Sequence, residues 1–295
     1  MPPRDPAVVC TYAPSGTGKT TDCGYSFPNA LFIAAQGALE SIRGTCGYDP
    51  TEKRAETIEE ATKMIIEISK SGKHDAVVVD DFSYLAEQTV SRLEKKFTGF
   101  KMWGELRDVV LGFRDEARKA KMHVIINCWS IGPKSKPDGT MVRGGPKLPS
   151  DLPESVPALC DLVLRGTYEP NRQPWPAVYD CWLDPGWTMK DRYTILGRKS
   201  PMNLAEILRL AGYDIKRHPS MPWQEGMVEQ IAQAALQGAP AQDLELSNQA
   251  YQMLRNEGAT HEQAQWTVRD GIDRAVLRRA RAARQGTFIQ PRAGL

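Results

Sequence analysis

The run Ala13-Pro14-Ser15-Gly16-Thr17-Gly18-Lys19-Thr20 constrains the fold more than any other feature of this chain. It follows an apolar stretch, Val8-Val9-Cys10-Thr11-Tyr12, and leads into a helical pattern from about Thr20. A buried strand that ends in a glycine-rich turn and passes at once into a helix is the frame of a phosphate-binding loop, with the pattern G-x-x-x-x-G-K-[ST]. Only the first glycine departs, replaced by Ala13. Gly16 and Gly18 permit backbone conformations closed to other residues and let amides approach phosphate oxygens. Those amides and the helix N-terminus form an anion nest. Pro14, Ser15, Gly16, Thr17, Gly18, Lys19 and Thr20 are therefore expected around a nucleotide polyphosphate. Lys19 would reach the β- and γ-phosphates, and the Thr20 hydroxyl would hold Mg2+; ATP is the default nucleotide.

A nucleotide-bound Mg2+ usually needs a carboxylate at the end of a neighbouring strand. Asp80 stands there, directly after Ala76-Val77-Val78-Val79, with Asp81 beside it. The bland alternative is that these two aspartates only cap the next helix. The remaining pattern supports a doubly covered sheet. Leu31–Ala34 and His123–Asn127 read as further buried strands. Thr57-x-x-Glu60 is a capping box that opens a helix with Ile58, Ala61, Ile65 and Ile68 on one face. A second helix, from about Trp103 to Lys121, carries Leu106, Val110, Phe113 and Ala117 on one stripe. Alternating strands and helices predict an α/β fold around a mostly parallel sheet.

Beyond Asn127 the pattern changes. Residues 129–157 are rich in proline, glycine and lysine and read as one long loop. Asp161–Thr167, Ala177–Leu183 and Arg192–Leu196 read as strands of an antiparallel extension, and Asn203 as the cap of a short helix through Ala211. Past the proline-rich stretch 219–222 the sequence is helical in pattern, with a second capping box at Thr260-x-x-Gln263. The reading is thus a core over residues 1–215 and a small helical domain over 223–295, its last helix rich in arginine.

Several residues outside the loop resemble RecA-type ATPases. Leu31 to Glu40 is similar to their second-strand segment, Val77-Val78-Val79-Asp80 to their Walker B strand, and Ile125-Ile126-Asn127-Cys128 to their γ-phosphate sensor strand. Gly144-Gly145-Pro146-Lys147 resembles the segment after their DNA-binding loop, and Lys190-Asp191-Arg192 the K-x-R finger of RecA-fold hexameric helicases. The resemblance spans about residues 7–212 and is greatest to compact RecA-like ATPases of phages, including those of single-strand annealing and recombination. It implies a RecA-like P-loop ATPase acting on single-stranded DNA in the cytoplasm of a bacterial host, with Asn127 sensing the γ-phosphate. It also implies a homo-oligomer with nucleotide at the interface, where Lys190 and Arg192 act on a neighbour's phosphate, and a single-strand-binding or replication protein as possible partner. Two departures stand out. Gln36 occupies the place of the general-base glutamate, and an amide cannot take a proton from water as a carboxylate does; Glu40 is a substitute. Seven residues precede the first strand, so the family's N-terminal oligomerisation element is not expected here.

Three segments suit nucleic acid. Lys95, Lys96, Phe97, Phe100 and Lys101 interleave charge with rings, as single-strand binding prefers. The 129–147 segment carries Trp129, Lys134, Lys136, Arg143 and Lys147. The last helix adds phosphate contacts: Gly271 to Leu295 holds six arginines against one acid, although the whole chain is only +2. Each segment has a plain alternative: packing residues with solvated lysines, a nucleotide-gated lid, and a protein-docking face. Composition excludes other classes. With 41% hydrophobic and 25% charged residues the chain has the apolar content for a core, so it is not mainly disordered. No apolar run approaches the roughly 18 residues of a membrane span, and no signal-peptide core opens it. Six cysteines without a C-x-x-C pair read as reduced, packed thiols. A nucleotide-binding scaffold that docks a protein remains the alternative, and a small-molecule kinase a more distant one.

Overall fold

The computed structural model describes residues 5–215, apart from 36, 151, 169–176, 181–183, 194–195 and 197–198, together with Gln252. Gln36, the 223–295 helical domain apart from Gln252, its capping box at Thr260, and Cys181 lie outside the described residues. The chain runs β1 (Val8–Ala13), α1 (Lys19–Ser26), β2 (Leu31–Ala34), α2 (Glu40–Cys46), β3 (Thr51–Lys53), α3 (Ile58–Ser71), β4 (Ala76–Asp80), α4 (Phe82–Glu94), α5 (Gly99–Lys119) and β5 (His123–Ile131). There follow β6 (Lys134–Ser135), β7 (Met141–Val142), β8 (Gly145–Pro146), α6 (Leu152–Leu159), β9 (Leu162–Tyr168), β10 (Ala177–Asp180), β11 (Lys190–Asp191), β12 (Lys199–Pro201) and α7 (Leu204–Leu210).

The main sheet has the order β12-β10-β9-β1-β5-β4-β2-β3. The six strands from β9 to β3 pair in parallel. The continuous apolar runs suit this position, because a strand covered on both faces has no solvated side to mark with polar residues. Val8, Cys10 and Tyr12 face α3, α4, α5 and α6, whereas Val9 faces the layer built by α1, α2 and α7. Val77 and Val79 divide from Ala76 and Val78 in the same way. The stripes read on α3 and α5 are buried as expected, with Met102 added to the second. Thr57 caps α3 by accepting from Glu60 N, and Gly72 ends it at φ 62°. The Glu60 carboxylate accepts from Glu56 N, one residue earlier than a standard capping box places it. Five cysteines, 10, 23, 46, 128 and 160, are free and buried. Among the described residues, no helix is long and apolar enough to cross a membrane.

Three expectations change. The 129–157 stretch is not one loop: β5 runs on to Ile131, β6 and β7 form a hairpin, β8 returns to β5, and α6 follows. Two-residue strands carry no periodicity, which is why the pattern was invisible. The antiparallel extension begins only at β10, because β9 pairs in parallel with β1. Residues 192 and 193 form a turn, and the short strands lie on either side, at β11 and β12.

Candidate nucleotide site

Strand β1 delivers the chain to the C-terminal edge of the sheet, where Gly16 at φ 78° and Gly18 at φ 100° turn it into α1. Both angles are left-handed, the region in which glycine avoids the Cβ penalty. A Cβ on Gly16 would meet nothing within 4 Å, so the exposed crest of the loop is not crowded and the positive φ alone calls for glycine. Thr17 Oγ1 closes the turn on the Pro14 carbonyl at 2.7 Å. Lys19 Nζ donates to the carbonyls of Ala13 and Pro14 at 3.1 and 3.2 Å. Burial lowers the Lys19 pKa, against the opposing pull of Asp80 and Asp81.

The replacement of the first glycine by Ala13 has a structural counterpart. Register sets Tyr12 beside Arg165 and hence Ala13 beside Gly166 on β9. A Cβ on Gly166 would lie 2.8 Å from Ala13 Cβ and 3.6 Å from Thr17 Cγ2. The methyl that the pattern omits at position 13 thus occupies the space that Gly166 leaves. No local pattern marks Gly166.

Strand β5 lies between β1 and β4, so Asn127 sits between the loop strand and the strand of Asp80. Thr11 Oγ1 donates to Asn127 Oδ1 at 2.7 Å, Asn127 Nδ2 to Asp80 Oδ1 at 2.9 Å, and Thr20 Oγ1 to Asp80 Oδ2 at 2.8 Å. This buried relay joins β1, β5, β4 and α1. Burial raises the Asp80 pKa, and the hydrogen bonds from Asn127 and Thr20 oppose the shift. Asp81 alone takes the capping role: its carboxylate accepts from Ser83 N and Tyr84 N and caps α4. Asp80 is thereby left to the site. A hydroxyl and a carboxylate side by side are hard oxygen donors that fit Mg2+, and Thr20 and Asp80 would hold it. When bound, that ion would neutralise charge on phosphate oxygens.

A buried carboxylate on α1 was not legible in the sequence. Asp22 accepts from Tyr179 Oη at 2.7 Å, Ser26 Oγ at 3.0 Å and Leu204 N at 3.1 Å, so it ties the loop helix to β10 and α7. Burial pushes its pKa up to about 6, while these donors pull it down.

The other expected residues divide. Glu40 is exposed and its carboxylate accepts from Arg43 at 2.8 Å. Arg192 lies at the N-terminal edge of the sheet, because its N donates to the Asp161 carbonyl and Asp161 N to Val8 O; Lys190 pairs with Val163, level with Cys10, and its Nζ is turned to the Ala158 carbonyl. The five steps from Val8 to Ala13 cover about 17 Å, so Arg192 does not reach the loop of its own chain; Lys190, about 10 Å from Ala13 along the strand, is held at the Ala158 carbonyl instead. Phe97 packs against the core instead of standing free, with Lys101 Nζ 5.0 Å from its ring centre. Phe100 is 96% exposed, and Trp103, three residues on, is 40% exposed. Lys95 and Lys96 are exposed beside them. The 21 residues of α5 span about 31 Å back to the start of β5. Its first turn is therefore level with the far end of β5, on the same side as the glycine-rich loop.

Lys134, Lys136 and Arg143 are exposed on the β6–β7 hairpin and its return strand, together with Met141. Lys147 is not free: Nζ pairs with Glu87 at 2.8 Å and lies 4.8 Å from the Trp129 ring centre. Lys147 N donates to the Trp129 carbonyl at 2.7 Å, and Trp129 N donates to Ser83 Oγ at 2.9 Å. Both ends of the hairpin excursion are thus fixed to α4, just after Asp80. Trp187 closes the same root. Gly144 bridges to it so tightly that a Cβ would lie 2.6 Å from the Trp187 ring, and Arg165 stacks on that ring at 3.6 Å.

Comparison with known proteins gives one family and a set of distant folds. The crystal structure of a RadB recombinase is 16% identical and superposes with a TM-score of 0.37 over 63% of this chain and 90% of its own. A KaiC-like protein from the hyperthermophilic archaeon Pyrococcus horikoshii is 14% identical, with a TM-score of 0.37 over 59% of this chain and 76% of its own. No curated protein matches. The family model described as an AAA domain matches residues 5–193, well over half of the chain, and the chain belongs to that family.

Proposed function

We propose that this protein binds Mg-ATP between Ser15 and Thr20, hydrolyses it slowly, and uses the nucleotide state to control contact with single-stranded DNA. The observation that carries the reading is the relay Thr20–Asp80–Asn127–Thr11, because Asn127 lies on the strand that runs straight out to the hairpin of Lys134, Lys136 and Arg143. A change at the terminal phosphate is felt by Thr20 and Asp80, passes to Asn127, and moves the root of the hairpin at Trp129. Lys95, Lys96, Phe100 and Lys101 lie at the α4–α5 connection, level with the far end of that strand, where cations would face phosphates and the exposed ring would stack on a base.

Glu40 is engaged by Arg43, so Gln36 orients water in this proposal instead of removing its proton, and turnover is slow. Lys190 and Arg192 serve the phosphate of a neighbouring copy, which makes the active form a homo-oligomer with nucleotide at the interface. The setting is phage-type recombination, annealing or replication, with a single-strand-binding or replication protein as partner. Phosphate release with Mg-ATP, with and without an oligonucleotide, tests this. Stimulation by single-stranded DNA that vanishes in Lys19→Ala supports the reading, and Gln36→Glu is expected to raise turnover. Tight ATP binding with no hydrolysis and no effect of DNA makes the protein a nucleotide-gated scaffold; stimulation by a small metabolite makes it a kinase.

A further inference from the structure

The N-terminal edge of the sheet holds a cationic cluster far from the glycine-rich loop. Its centre is Asp161, whose side chain is 5% exposed, just before β9. One oxygen, Oδ2, accepts from Val8 N at 2.9 Å and from Arg118 Nη1 at 2.7 Å. The other, Oδ1, accepts from Arg192 Nη1 at 2.7 Å. Arg118 is tied at its other end as well, where Nη2 donates to the Leu159 carbonyl. Lys190 Nζ donates to the Ala158 carbonyl at 2.8 Å. The backbone holds the same junction: Asp161 N donates to Val8 O, and Arg192 N to Asp161 O.

Two arginines therefore hold one carboxylate, and Lys190 stands near them on the Ala158 carbonyl. Burial lowers the Lys190 pKa, the Arg192 guanidinium lowers it further, and Asp161 opposes the shift. Arg118 is fixed on both sides, whereas the Arg192 side chain is 51% exposed. An isolated surface arginine must give up rotamer freedom before it can hold an anion. One already seated on a buried carboxylate has given that up on folding.

We infer that Asp161, braced by Arg118, is the positioning residue for Arg192: it seats one guanidinium nitrogen and leaves the exposed part of the fork for a phosphate oxygen of the nucleotide on a second copy. This rests on the reading of Arg192 as a cation acting on a neighbour. It adds the residue that sets where that cation stands, and it gives Arg118 a task.

The test combines phosphate release over a range of ATP and protein concentrations with sedimentation in the presence and absence of ATP. Arg192→Ala is expected to lower kcat at least ~10-fold, with KM for ATP within ~2-fold of the wild type. Asp161→Asn lowers kcat by part of that factor and adds nothing once Arg192 is gone. Arg118→Lys, which keeps the charge without the fork, behaves like Asp161→Asn and replaces it if that variant does not fold. Mixing Lys19→Ala subunits with Arg192→Ala subunits restores turnover above either alone, because one supplies the guanidinium and the other the nucleotide. An additive loss in the double variant overturns the positioning role while leaving Arg192 in place, as does an unchanged kcat in both Asp161→Asn and Arg118→Lys. An unchanged kcat in Arg192→Ala overturns the reading beneath it. So does a wild type with neither turnover nor ATP-dependent association.

Discussion

Gly166→Ala tests how the glycine-rich loop is supported. The added methyl would sit 2.8 Å from Ala13 Cβ and 2.8 Å from Met202 Cε. Carbon atoms rest at about 3.5–4.0 Å, so each contact is short by roughly 1 Å. Met202 Cε is the end of a flexible side chain and gives way. Ala13 Cβ is attached to the strand that carries the loop and does not. Overpacking of this kind costs about 1–3 kcal/mol. At ~2 kcal/mol the melting temperature of a domain this size falls by ~4–8 °C. If the loop shifts instead, the cost appears in nucleotide binding, where about 1.4 kcal/mol is a tenfold loss of affinity. The companion variant Ala13→Gly/Gly166→Ala removes the clash and restores the standard first glycine of the pattern. It is expected to recover most of the loss, because the exchange leaves the number of strand glycines unchanged. Scanning calorimetry and ATP titration on both variants read the two effects separately. Wild-type behaviour of Gly166→Ala, or a double variant no better than the single one, would refute the packing argument.

Other perturbations have equally definite outcomes. Burial raises the Asp80 pKa, so its ionisation costs folding stability as pH rises from the ordinary carboxylate range through the raised value. Asp80→Asn is therefore expected to melt at or above the wild type at neutral pH while losing the Mg2+-dependent part of ATP binding; retained Mg2+ dependence contradicts Asp80 as the metal carboxylate. His123 Nδ1 accepts from Ala7 N at 3.0 Å as a neutral ring, and burial lowers its pKa to about 4. The unfolded chain takes up that proton near pH 6.5, so stability is lost as pH falls from 6.5 towards 4, by roughly 3 kcal/mol. Asp22, raised to about 6, acts in the opposite sense over the same window, so the comparison is with His123→Gln, whose urea midpoint is expected to fall less between those pH values. An identical acid limb in the two proteins removes His123 from the account. Replacing Lys134, Lys136 and Arg143 together by alanine is expected to reduce the salt slope of single-strand binding by about 2, from ~0.7 per phosphate contact. An unchanged slope places the nucleic acid elsewhere.

What the sequence could show depended on whether a feature is local. The loop from Ala13 to Thr20, the valine run before Asp80 and the stripes of α3 and α5 are written in consecutive or helically spaced residues, and the structure keeps them. Asp80 and Asp81 were adjacent and chemically equal. Only the cap on α4 separated their roles. Gly166, Asp22 and Asp161 were invisible because each has a decisive partner more than 100 residues away in the chain: Ala13, Tyr179 and Val8 respectively. In the basic aromatic segment one ring departs from the reading: Phe97 follows Leu93 into the core by a backbone bond at 2.8 Å, whereas Phe100 stands exposed and Trp103, one turn beyond it, is a second exposed ring. The hairpin was missed because strands of two residues have no period to detect.

The central claim is that amides of the glycine-rich loop, with Lys19 and Thr20, grip a triphosphate. Isothermal calorimetry of the full chain with ATP and Mg2+, run beside Lys19→Ala, addresses it most directly. A saturable heat in the wild type that disappears in the variant is the expected result. No heat from ATP, or an equal heat from both proteins, would contradict it.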